Sequence, residues 1–150
     1  MRRSNTIERG SFAPATGAVD EPVSLKIAVI YNSVDFTLSA LRKAGALANS
    51  LHARITLIVP QIVPYPLPLV SPPVEREFKE RAFRVLADEG PVDTSVHIYL
   101  CRDRLEMLRS VLQPHSLIVI GGKDRWWPTK EKRLADQLRH CGHQVVLVQS

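Results

Sequence analysis

Leu117-Ile118-Val119-Ile120-Gly121-Gly122 is the stretch on which the fold turns. Four large aliphatic residues in a row, with no polar alternation, describe a strand buried on both faces, as strands in the middle of a parallel sheet are. Gly121-Gly122 then reads as the start of the loop that follows this strand. Lys26-Ile27-Ala28-Val29-Ile30 and Arg54-Ile55-Thr56-Leu57-Ile58-Val59 are runs of the same kind. The second is expected to end at Pro60, which cannot donate to a ladder. Val145-Val146-Leu147-Val148 is the last such run. Val96, Ile98 and Leu100 alternate with His97 and Tyr99, which predicts a strand nearer the sheet edge with one face less buried.

Helical patterns separate these runs. Between Phe36 and Leu51, Ala40, Leu41, Ala44, Leu47, Ala48 and Leu51 recur at three- and four-residue spacing, with Ser33 or Asp35 available as cap. Six prolines between Pro60 and Pro73 predict an extended loop over the surface of the domain. A helix is then expected to start after Ser71-Pro72, with Val74, Phe78, Ala82, Val85 and Leu86 on its inner face, and to close at Gly90-Pro91. Asp103 and Glu106 resemble a capping box before the stripe Leu105, Leu108, Val111 and Leu112. Thr129 is placed to cap a final helix carrying Leu134, Leu138 and Cys141 inward and ending at Gly142.

Five strands alternating with four helices imply an α/β fold, a single-domain doubly wound open parallel sheet of five strands with helices on both faces. Ligands of such sheets bind at the carboxyl ends of the strands, where strand order reverses. The loops at Tyr31 and Gly121 are therefore the candidate site.

Composition agrees with one domain: 150 residues, 45% hydrophobic and 23% charged. Residues 1–23 are polar, small and Gly/Pro-punctuated, and are expected to form a disordered tail, leaving 24–150 as the folded domain. Cys101 and Cys141 are too few for a disulfide scaffold, and no run reaches the roughly 18 apolar residues of a membrane span or forms a signal peptide. A cytoplasmic protein is expected. The net charge of +5 is scattered among acids rather than gathered in a patch, so nucleic acid is not the expected partner.

A Ser-bearing turn after the first apolar run, and a penultimate strand reading Leu-Ile-Val-Ile-Gly-Gly, resemble the universal stress protein family over about Leu25 to Ser150. The resemblance implies that the strands at 26–30 and 117–120 are central neighbours, and that the chain forms a homodimer through its C-terminal edge strand, Gln144 to Val148. In nucleotide-binding members of the family, ATP lies across the switch point. It is held by an acid after the first strand, by backbone after the second, and by a Gly-x2-Gly-x9-Gly-Ser/Thr loop.

Here the family's Asp-Gly-Ser turn corresponds to Tyr31-Asn32-Ser33, so the acid is missing, and Val59 stands at the end of the second strand. Counting from Gly121, the loop pattern falls on Asp124 and Leu134-Ala135; counting from Gly122, it falls on Arg125 and Ala135-Asp136. Neither register supplies the glycines that let backbone N–H groups reach phosphate, and Trp126-Trp127-Pro128 fill the span. Lys123 and Arg125 could attract an anion by charge alone. Tyr31, Asn32, Ser33, Val59, Gly121, Gly122, Lys123 and Arg125 form the candidate crevice, and no ATP or other cofactor is expected.

His140-Cys141-Gly142-His143, with His97, His115 or Cys101, offers metal-ligand types without a standard zinc spacing, so no metal is assigned. Ser33 has no His near it in sequence, Cys101 has only the adjacent base and acid of Arg102 and Asp103, nothing requires a triad, and no enzyme is expected. Trp126-Trp127 reads as packing, and the proline-rich stretch as a rigid loop covering a hydrophobic edge. The expected function is a non-catalytic, stress-response module that binds a protein partner or a small anionic ligand; an ATP-binding stress protein with a rebuilt phosphate loop is the alternative.

Overall fold

A computed structural model describes residues 7–11, 25–69, 73–90, 92–123 and 129–149. In chain order the elements are β1 (Ile7–Ser11), β2 (Lys26–Ile30), α1 (Val34–Leu51), β3 (Arg54–Ile62), α2 (Pro73–Asp88), β4 (Thr94–Cys101), α3 (Arg104–Val111), β5 (Leu117–Gly122), α4 (Lys130–His140) and β6 (Gln144–Gln149). All strands are parallel, in the order β1-β4-β3-β2-β5-β6. The five expected strands form the core of this sheet, with β2 and β5 adjacent at its centre.

The sixth strand corrects the expectation of a disordered tail at residues 7–11. These residues run beside β4, Ile7 opposite Val96 and Ser11 opposite Leu100. A parallel strand gains its pairing from backbone N–H and C=O groups, so a segment with no apolar pattern can still add to an open edge. The remainder of the expected tail lies outside the described residues.

Alternation along the central strands builds two cores. Ile27, Val29, Ile55, Leu57 and Val59 face α1 and α2, where Ala40, Leu41, Ala44 and Leu86 meet them. Ala28, Ile30, Ile58, Ile118 and Ile120 face α3 and α4, against Met107, Leu108, Leu134 and Leu138. Met107 is fully buried beside Leu108. Truncating a buried side chain of this size costs about 2–5 kcal/mol.

Three sequence expectations shift. β3 continues through Pro60 to Ile62. The Tyr31 N–H donates to the Ile58 carbonyl at 2.9 Å, so Ile58 turns toward β2 and Pro60, two residues on, turns the same way. β2 pairs only as far as Ile30, opposite Ile58, so the missing proline donor falls where no partner strand remains. Secondly, Cys141 is exposed rather than inward, because α4 ends at His140 and Gly142 takes a φ of 95° in the turn.

Thirdly, α2 buries only part of its expected face. Leu86 is buried as expected, with Ala87 beside it and Phe83 packed against the core, whereas Phe78, Ala82 and Val85 are exposed; the Val74 side chain lies outside what the structure describes. The proline-rich loop is pinned at its start by Arg102, whose guanidinium donates to the Val63 and Pro64 carbonyls at 2.9 and 3.1 Å and lies 4.2 Å from the Tyr65 ring centre. Tyr65 and Leu67 point to solvent, so they cover no hydrophobic edge.

Candidate functional site

Strand order reverses between β2 and β5, and the two strands end in Tyr31-Asn32-Ser33 and Gly121-Gly122. Contrary to the sequence expectation, both glycines belong to β5 and not to the loop beyond it: Gly121 pairs with Val148 and Gly122 with Gln149. They are also buried. A side chain at Gly121 would run into the backbone of Phe36, its Cβ 2.6 Å from the carbonyl carbon, so the first turn of α1 lies directly against the end of β5. At Gly122 an added Cβ would meet Glu131 Cβ at 3.1 Å and Cγ at 3.3 Å.

The polar groups of the turn are engaged within the chain. Asn32 Nδ2 donates to the Gly121 carbonyl at 2.6 Å, and its Oδ1 accepts from the Ser33 N–H at 2.9 Å and from the Thr37 hydroxyl at 3.4 Å. Ser33 Oγ accepts from the Phe36 N–H at 3.4 Å, capping α1. Tyr31 stands edge-on to Phe83, ring centres 4.9 Å apart. Val59 is buried inside β3, one strand away. Lys123, the residue after β5, is exposed. Arg125 and Trp126-Trp127 lie outside the described residues.

Asn32, Ser33, Gly121 and the start of α1 therefore come together, and hydrogen bonds join them to one another. The sequence shows that a carboxylate is missing at Tyr31, but gives no sign that Asn32, the next residue, ties the central strands together. Beside the crevice, a groove of about 370 Å³ opens between α1 and α2, lined by Tyr31, Val34, Leu38, Phe78, Ala82 and Val85 among others. A second, more polar groove of about 160 Å³ lies under the end of α3, with Thr56, His97, Tyr99 and Ser116 in its wall.

The reactive residue types lie away from the crevice. Cys101 is buried, and that burial pushes its thiol up, with the Asp103 carboxylate adding to the rise. A thiol held protonated in this way is a poor nucleophile. His143 is also buried, and its Nδ1 accepts from the Ser116 N–H at 3.1 Å. Burial holds its imidazole below the ordinary value, and His115 lowers it further. His115 itself contacts the Gly142 carbonyl at 3.1 Å. Among the described residues, no three His, Cys, Asp or Glu side chains gather in a metal-binding group, and no helix is long and apolar enough to cross a membrane.

No protein-family model matches this chain, and no curated protein does. Solved structures do. A universal stress protein in complex with cAMP has a TM-score of 0.52 and 18% identity, covering 83% of this chain and 96% of its own. The universal stress protein from Archaeoglobus fulgidus has a TM-score of 0.58 and 13% identity, covering 85% and 95%. A member of the family from Burkholderia pseudomallei has a TM-score of 0.56 and 23% identity, covering 83% and 96%. At these identities the likeness establishes the fold, which is that of universal stress proteins.

Proposed function

From this fold we propose that the chain is a non-catalytic, universal-stress-type module of the cytoplasm, acting in stress response by binding a protein partner or a small anionic ligand rather than by turning one over. The observation that carries the reading is the internal use of the switch-point groups: Asn32 spans to Gly121, Ser33 caps α1, and Gly121 packs on Phe36. A triphosphate needs free backbone donors in that place. Lys123, the residue after β5, supplies charge for an anion without such a cradle. In this reading the module pairs with a second copy through β6, which among the described strands is hydrogen-bonded on one side only, to β5.

Native mass spectrometry of freshly purified protein tests the reading. The expected spectrum shows the dimer, or a larger assembly of it, carrying no nucleotide. A nucleotide adduct at stoichiometric level contradicts it.

One observation favours a second reading, nucleotide binding through a divergent loop: a protein of this fold binds cAMP. On that reading ATP quenches the fluorescence of Trp126 and Trp127, and the double substitution Lys123→Ala/Arg125→Ala abolishes the effect. A flat titration to millimolar ATP excludes it.

A further inference from the structure

Helix α2 carries two apolar stripes, and the sheet uses only one. Phe83, Leu86 and Ala87 face the core, whereas Phe78 and Val85 are 74% and 64% exposed. Phe78, Ala82, Val85 and Glu89 recur at spacings of four, three and four, the interval of a helix–helix seam. Val34, at the start of α1, continues this surface at 54% exposure and lines the same groove of about 370 Å³. Contiguous apolar surface of this kind on a folded chain marks an association site.

The charges beside the seam select the occupant. If two copies of α2 pair antiparallel about a two-fold axis, Ala82 lies opposite Val85 of the second copy and Phe78 opposite Glu89. The flanking positions on one side are then Arg81 and Asp88, both exposed, and each meets its opposite sign on the second copy. The pair occurs twice by symmetry. A parallel pairing sets Arg81 beside Leu86, with no charge partner. Ala82 is small enough to let the two helix backbones approach, and the groove between α1 and α2 accepts a side chain from the facing helix.

We infer that the outer face of α2, with Phe78, Ala82 and Val85 as the seam and Arg81 and Asp88 as reciprocal pairs, is an interface between two copies of this chain. This surface is separate from β6 and from the crevice, so it stands whether or not either takes part in assembly.

The test reads the interface directly. In a Cys141→Ser background, which leaves only buried Cys101 as native thiol, one chain carries Ala82→Cys and a second, distinguishable by mass, carries Val85→Cys. Both substituted side chains are exposed, outside the core. Mild oxidation of the mixture is expected to give the mixed 82–85 disulfide in clear excess over both homodisulfides. Arg81→Asp is expected to weaken association by roughly tenfold, since attraction becomes repulsion at two places, and Arg81→Asp/Asp88→Arg to restore it. A mixed disulfide at no more than random frequency, or association indifferent to Arg81→Asp, overturns the inference. So does a wild-type chain showing no α2-dependent association, as it would if a different protein or a free ligand occupied the groove.

Discussion

Asn32 reaches across the centre of the sheet to donate from its side-chain amide to the Gly121 carbonyl at 2.6 Å, tying the end of β2 to the end of β5 where strand order reverses. The place that an open parallel sheet offers to a ligand is here crossed by the chain's own hydrogen bond. Removing that bond with Asn32→Ala should cost about 1–2 kcal/mol, the range for a partly buried hydrogen bond whose partner is left unsatisfied. Asn32→Asp should destabilise as well, because a carboxylate cannot donate to a carbonyl, and it should not create ATP affinity. Urea denaturation and an ATP titration of both variants check this.

Gly121→Ala should destabilise by about 3 kcal/mol or more, since the new methyl group meets the Phe36 backbone, which cannot move without displacing α1. Gly122→Ala meets the side chain of Glu131 instead and should cost about 1 kcal/mol. Thermal unfolding of the two variants should therefore separate neighbouring glycines.

The two thiols should differ sharply in reactivity. Cys141 is exposed, whereas Cys101 is buried with its thiol pushed up. A thiol reagent at neutral pH should modify one cysteine quickly and the second only when denaturant is added. Fast modification of both in the native protein contradicts the buried placement of Cys101.

Stability should fall in mild acid through His143. Its Nδ1 accepts the Ser116 N–H, which only a neutral ring can do, and its folded-state value lies below the ordinary 6.5. Just below 6.5 the unfolded chain therefore takes up a proton that the folded chain refuses. The contribution is complete above 6.5 and is lost as pH falls toward the depressed folded value. Chemical denaturation across this range should show the loss, and His143→Gln should flatten it.

Much of the fold is legible because burial on both faces writes itself into composition: the runs at 26–30, 54–59, 117–120 and 145–148 all lie in strands of the sheet. Ser33, Asp103 and Thr129 cap the helices they precede, since their short side chains reach the third N–H onward. Less legible was what depends on backbone or on neighbours distant in sequence. Strand β1 is held by pairing to β4, and Ile7-Glu8-Arg9-Gly10-Ser11 carries no apolar signature. Pro60 fits β3 because β2 has already ended. In sequence the exposed stripe on α2 looks like its inner face, because apolar spacing marks a contact surface without saying which partner it meets. At the site, the missing acid is visible at Tyr31, but the amide of the next residue, Asn32, acts across 89 residues of sequence.

We propose that this switch point is closed by Asn32, Ser33 and Phe36 to the phosphates that an open one would hold. Isothermal titration of the full chain with MgATP tests it most directly. No binding heat up to millimolar nucleotide is the predicted result; a one-to-one isotherm with micromolar affinity contradicts it.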